Sequence, residues 1–191
     1  MHNLVGIDEV GRGCWAGPLV AAAVILSEPI DGVMDSKKLT AAHRKVLAKE
    51  IYLKAVAVGV GWIDAERIDS IGLSAANREA MQLALNQIVT PYDRVIVDGN
   101  YNYLAHLDNS EAVTRADSLV PAVSAASIVA KVARDAFMTE AALQFPAYGF
   151  EKHVGYGTQF HHQQIKLHGV CKLHRLSYKP VQKLVSDIID A

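Results

Sequence analysis

Four carboxylates stand where a folded α/β chain would bring them together: Asp8, Glu9, Asp98 and Asp117. Asp8 and Glu9 sit where an apolar run beginning at Leu4 gives way to a glycine-rich turn, and Asp98 ends the run Val95-Ile96-Val97 in the same manner. Strand ends of open α/β sheets are where ligands bind, because the loops there present polar groups while the strand stays rigid. Asp117 precedes a helix rich in small residues and projects from the adjoining loop or helix start. Converging without cations, four such groups would repel and raise one another's pKa values, whereas two divalent ions would neutralise them and leave room for phosphate. The chemistry expected is metal-assisted, with Mg2+ or Mn2+. Adjacent strand residues point to opposite faces, so Asp8 and Glu9 serve one centre only if the strand bends or one offers its carbonyl.

Other metal chemistries find little support. There is no HExxH, EF-hand loop, Walker phosphate loop or CxxC pair. His161, His168, Cys171 and His174 are competent zinc ligands at short spacing, but the plainer reading is a polar helix face and loop near phosphate. Cys14 and Cys171 form no disulfide framework, which fits a reducing compartment. The apolar run Leu19–Leu26 is too short to span a bilayer and follows acidic residues, so a cytoplasmic chain is expected.

The net charge of −1 hides an uneven distribution. From Lys152 to Lys183 there are Lys152, Lys166, Lys172, Arg175, Lys179 and Lys183, with five histidines and no acid. Such a segment is either a solvated face or the footprint of a phosphate backbone.

The elements that must position these groups alternate in type. Strands are expected at Leu4–Asp8, Leu19–Leu26, Ala55–Ile63 and Arg94–Asp98, the second buried on both faces because its apolar residues are continuous. Helices are expected at His43–Leu53, with Thr40 as N-cap, then at Ser74–Ile88, Pro121–Leu143, Gln159–Leu167 and Val181–Ile189, with loop over Pro146–Thr158. The length, 191 residues, favours a single domain over 1–191, with residues from about 145 onward forming a loop and helical extension.

Read in order, these residues resemble the type 2 ribonucleases H, the ribonuclease HII family. The resemblance rests on Gly6-Ile7-Asp8-Glu9-Val10-Gly11-Arg12-Gly13 with Ala16-Gly17-Pro18, on Asp35-Ser36-Lys37-Lys38-Leu39, on Val97-Asp98-Gly99, on the run from Ala125 to Asp135, on Gly155-Tyr156-Gly157-Thr158 and on His174-Arg175-Leu176-Ser177-Tyr178. It implies an RNase H-like fold with a mixed central sheet flanked by helices and a small helical C-terminal part. It also implies a monomeric endonuclease that cuts the RNA strand of RNA-DNA hybrids and nicks 5′ of single ribonucleotides in duplex DNA, leaving 3′-hydroxyl and 5′-phosphate ends, with a role in replication and repair.

By the same resemblance, the four acids take the catalytic and metal-binding positions. Gly11, Arg12 and Gly13 read the ribose 2′-hydroxyl through main-chain groups, which suits glycine because the backbone must come close. Tyr156 stacks on the next, deoxy, sugar; Asp35, Ser36, Lys37, Ser127 and Lys131 hold the backbone; His174 and Arg175 support the closing segment. The chain departs from the family at Val10 for alanine, at Arg115-Ala116-Asp117 for Lys-Gly-Asp and at His153-Val154 for Asn-Lys, so phosphate contacts near Gly155 are expected to be weaker or altered. Gln182, Val185, Ile188 and Ile189 faintly suggest a sliding-clamp peptide, but the usual aromatic pair is missing and an ordinary amphipathic last helix is the favoured reading. Type 3 ribonuclease H is the alternative within the fold, and a binding module with a dead site the alternative outside it; the intact acidic set favours catalysis.

Overall fold

Alternating apolar runs and helical periods give a mixed sheet between two layers of helices. A computed structural model of the chain describes residues 3–34 and 39–189. The elements are β1 (Leu4–Val10), β2 (Leu19–Ile25), α1 (Ala41–Lys54), β3 (Ala57–Ile63), α2 (Ala65–Ile71), α3 (Leu73–Leu85), β4 (Arg94–Asp98), β5 (Ser110–Val113), α4 (Pro121–Gln144), α5 (Phe150–His153), α6 (Gln159–His168) and α7 (Lys179–Ile189). Short 3-10 turns occupy Ala116–Ser118 and Pro146–Tyr148.

Among the described residues the sheet has the order β3-β2-β1-β4-β5. β1 is antiparallel to β2 and parallel to β4, so the acidic ends of β1 and β4 emerge at the same edge. β2 is fully buried, as its unbroken apolar run requires. On one face Val5, Ile7, Ala21 and Ala23 pack with Ala76, Ala80, Met81 and Ala84 of α3. On the other, Val20, Ala22 and Val24 meet Leu47 and Ile51 of α1 and Ala125, Ala126 and Val129 of α4.

The small residues of α4 do what close packing predicts. A Cβ at Gly6 would lie 2.2 Å from the Val123 nitrogen, so α4 crosses β1 at a distance only glycine permits. A third apolar cluster joins Met138 and Ala141 of α4 to Ala16, Phe150, Ile165 and Leu184, which anchors the C-terminal helices to the loop after β1.

Three elements were not anticipated: β5, α2 and α5. β5 is short and polar, half-buried along its length at the sheet edge, so it lacks an apolar signature. α2 is a single short helix capped by Asp64, whose side chain accepts the Arg67 N–H at 2.7 Å. The expected loop 146–158 contains a 3-10 turn and α5, while Thr40 caps α1 as expected. At the other edge strand, Gln87 accepts the N–H of Val60 at 3.2 Å and donates to its carbonyl at 2.7 Å. Asp35, Ser36 and Lys37 lie outside the described residues.

Candidate active site

The parallel register of β1 and β4 sets Ile7 against Val97, and one step on places Asp8 beside Asp98. The Asp98 Oδ1 atom in turn accepts the main-chain N–H of Asp117 at 3.3 Å, drawing in the 3-10 turn that carries the fourth acid. Ser118 Oγ donates to Asp117 Oδ1 at 3.3 Å. Asp8 and Asp117 are 7% and 6% exposed, so both carboxylates are largely withdrawn from water.

β1 continues to Val10, so Glu9 is still in the strand and its side chain takes the face opposite Asp8. Asp8 turns to α4, where its carboxylate is hydrogen-bonded to Ser127 and accepts the Glu9 N–H at 2.7 Å. Glu9 turns to the α3 side, near Asn77, with Arg12 Nη1 at 3.4 Å. Burial pushes Asp8 up to about 8; the Glu9 and Asp98 charges add to this, and the Ser127 and Glu9 hydrogen bonds oppose it. Glu9 is also raised by burial, while Arg12 and Asn77 favour its charged form and Asp98 disfavours it.

The donor set is all carboxylate oxygen, the chemistry that hard divalent cations take, and its mutual repulsion is what such ions relieve. Among the described residues no three acidic, His or Cys side chains stand close enough to hold an ion outright. The acids are therefore neighbours across a strand end, and binding would have to draw Glu9 and Asp8 around from their two faces.

Beside the acids lie two loops joined by buried guanidinium groups. Arg175 donates to the Gly17 carbonyl at 3.0 and 2.8 Å, to the Arg12 carbonyl at 3.2 Å and to the Tyr178 hydroxyl at 2.8 Å. Tyr178 also donates its hydroxyl to the Arg12 carbonyl. Arg134 donates to the Pro18 carbonyl at 2.8 Å, the Val154 carbonyl at 2.8 Å and the Ala16 carbonyl at 3.1 Å. Main-chain bonds from Trp15 N–H to the Gly155 carbonyl and from Arg175 N–H to the Trp15 carbonyl, each 2.8 Å, complete the seam. Gly155 has φ 86°, and a Cβ there would lie 2.1 Å from the Ala16 carbonyl oxygen. The result sets the half-exposed Tyr156 side chain, at 43%, against Cys14, which follows the exposed Arg12 and Gly13.

Several sequence expectations take a different physical form. Arg175 is completely buried, so it braces main-chain carbonyls and adds nothing to a basic surface, although Lys152, Lys166, Lys172, Lys179 and Lys183 are exposed. Ser127 is engaged with Asp8, and Lys131 with Asp135 at 2.9 Å. His161 and His174 bond to one another at 3.0 Å, and no zinc cluster forms among the described residues. Asn77 was missed; it is fully buried, and a polar residue within the apolar stripe of Ala76, Ala80 and Ala84 is the signal that would have found it. Arg134, within the run from Ala125 to Asp135, is the second buried clamp.

The family model for Ribonuclease HII matches residues 5–181. The chain belongs to the ribonuclease HII family. Ribonuclease HII of Delftia acidovorans (strain DSM 14801 / SPH-1) is 46% identical over 186 residues, covering 96% of this chain and 78% of that protein. The crystal structure of the ribonuclease H2 from Pyrococcus horikoshii OT3 superposes with a TM-score of 0.86 at 25% identity, covering 99% of this chain and 100% of that one. Ribonuclease HII in a PCNA complex from Archaeoglobus fulgidus gives a TM-score of 0.81 at 27% identity, with 95% and 96% covered. Membership makes this an endonuclease of the ribonuclease H type with an α/β RNase H-like fold, and the ribonuclease HII family uses divalent metal. Among the described residues no helix is long and apolar enough to cross a membrane.

Proposed function

We propose that the chain cleaves the RNA strand of RNA-DNA hybrids and nicks duplex DNA on the 5′ side of an embedded ribonucleotide, leaving 3′-hydroxyl and 5′-phosphate ends. Asp8, Glu9, Asp98 and Asp117 are the residues that would hold Mg2+ or Mn2+. The observation that carries this reading is the pairing of Asp8 with Asp98 at the parallel ends of β1 and β4, with Asp117 tied to Asp98. Two bound ions would supply the Lewis acidity that readies water for attack and offsets charge on the departing 3′ oxygen.

The protein's own part is placement. Buried carboxylates on a rigid strand end fix where the scissile phosphate must lie, and Gly11, Arg12 and Gly13 offer main-chain groups to the 2′-hydroxyl, which alone tells RNA from DNA at that position. The carbonyl of Arg12 is already held by Arg175 and Tyr178, which supports a preformed reading loop. Tyr156 supplies an exposed ring for the neighbouring sugar, and the exposed lysines of the C-terminal part suit the phosphate backbone. The 2′-hydroxyl serves recognition and not attack, so no cyclic phosphate forms. This reading places the enzyme in the cytoplasm, removing ribonucleotides from DNA in replication and repair.

The deciding assay compares labelled duplexes carrying one ribonucleotide, continuous RNA-DNA hybrid or DNA only, with Mg2+, with Mn2+ and with chelator. Cleavage of the first two, dependent on metal and ending in 3′-hydroxyl groups, is the expected result. Cutting of all-DNA duplex at a comparable rate, or a 2′,3′-cyclic phosphate product, overturns it.

A further inference from the structure

Three histidines lie in one buried stack behind the Tyr156 loop. His153, His161 and His174 are 7%, 0% and 2% exposed. His153 and His161 stack at 4.4 Å between ring centroids, and His161 Nε2 meets His174 Nε2 at 3.0 Å. His174 Nδ1 lies 2.8 Å from the Cys171 nitrogen and 3.2 Å from its carbonyl oxygen, so the partner of His161 sets the direction of the bonds. His161 Nδ1 faces the Tyr156 carbonyl at 2.9 Å and must carry a hydrogen to donate it. Burial keeps the ring neutral, so its Nε2 accepts, and His174 must donate from its own Nε2. His174 Nδ1 is then free to accept the Cys171 N–H at 2.8 Å.

The chain of bonds thus runs from the Cys171 amide through two imidazoles to the main chain of Tyr156. His153 adds a parallel link, accepting the Gly155 N–H at 3.2 Å and donating to the Tyr148 carbonyl at 2.9 Å. The far side is held as well: His161 packs against Trp15, whose main chain bonds to Gly155 and to Arg175. A ring of the same shape without nitrogens would fill the space yet leave the Tyr156 carbonyl with only the Thr158 N–H, at 2.8 Å, and the buried His174 donor unpaired.

We propose that His161 and His174 are positioning residues: bonded in series, they set the main chain of Tyr156 against the Gly11–Gly13 loop and thereby set the preference for an isolated ribonucleotide over continuous hybrid. The proposal rests on the reading of Tyr156 as the residue that tests the neighbouring sugar. His161 and His174 touch no substrate in this scheme; they act through the carbonyl they hold.

The test measures kcat/KM on a duplex with one ribonucleotide and on a continuous hybrid, for the wild type, His161→Phe, His161→Gln and Tyr156→Ala. His161→Phe should lower the ratio of the two values about fivefold, the worth of one neutral hydrogen bond, and His161→Gln, which can both donate and accept, should restore most of it. Should Tyr156→Ala change the ratio while His161→Phe leaves it within about twofold of wild type, the inference falls and the reading of Tyr156 survives. No change in Tyr156→Ala overturns both. Nitrogen NMR of the unsubstituted protein gives an independent answer that needs no variant to fold. It should find His161 protonated at Nδ1 and His174 at Nε2, and the reverse pair of tautomers overturns the proposal.

Discussion

The side chain of Asp98 accepts the main-chain N–H of Asp117, so the last residue of β4 holds the turn that carries another acid. An asparagine at position 98 keeps an oxygen able to accept that bond but loses the charge. Asp98→Asn should therefore fold normally, bind hybrid nearly as the wild type does, and lose cleavage by more than the roughly 10–100-fold that loss of an outer partner costs a metal site. Single-turnover cleavage beside fluorescence anisotropy checks both halves, and cleavage near the wild-type rate would refute the assignment.

Divalent ions should stabilise the fold as well as enable the reaction. The acids repel one another when uncompensated, and a ligand bound only by the native state at about 100 times its dissociation constant adds about 2.7 kcal/mol. Thermal melting at pH 8 should rise on adding Mg2+ and fall with chelator, and the rise should shrink in Asp98→Asn. An equal rise in the variant would place the bound ions elsewhere.

The buried histidines make stability fall in acid. His161 and His174 are each lowered to about 4, mainly by burial, while an unfolded histidine titrates near 6.5. Between those values the unfolded chain binds more protons, so stability rises with pH across the window and is lost as pH falls from about 6.5 to about 4, by at most about 1.4 kcal/mol per unit for each ring. Asp8, shifted upward, works in the opposite sense, so the informative quantity is the difference between wild type and His174→Gln. Urea unfolding at pH 7, 6 and 5 should show a shallower loss in the variant; parallel curves would mean the ring is not buried neutral.

Arg134 should prove structural and expensive to replace. Its guanidinium serves the carbonyls of Pro18, Ala16 and Val154 from one rigid fork, a geometry lysine does not reproduce. Arg134→Met should cost about 3 kcal/mol through unpaired buried carbonyls, and Arg134→Lys should recover only part of it. Denaturant midpoints measure this, and a change within about 0.5 kcal/mol, the scale of an ordinary surface substitution, would contradict it.

The sheet, α3, α4 and the strand-end position of three acids were legible because apolar runs, helical spacing and an abrupt polar stop are all local signals. The opposed directions of Asp8 and Glu9 followed from strand alternation alone, and the structure keeps them on two faces. β5 was not legible, since a four-residue edge strand with Ser110 and Glu111 carries no apolar pattern. Arg175 was counted in the basic segment and, by resemblance, given to supporting the closing segment, but sequence shows its type and not the carbonyls of Arg12 and Gly17 that receive it across more than 150 positions. The histidine stack was likewise invisible because its partners are brought in by tertiary packing and not by neighbours in the chain, whereas Asn77 carried a local signal as a polar residue in the apolar stripe of α3.

The Gln87 amide on Val60 has a consequence for how the enzyme behaves in a crowded cell. β3 ends the sheet, and an open strand border invites a stranger's backbone to dock and extend it. By occupying both main-chain groups of Val60, one side chain breaks that border in the middle, leaving no uninterrupted stretch for another copy to zip against.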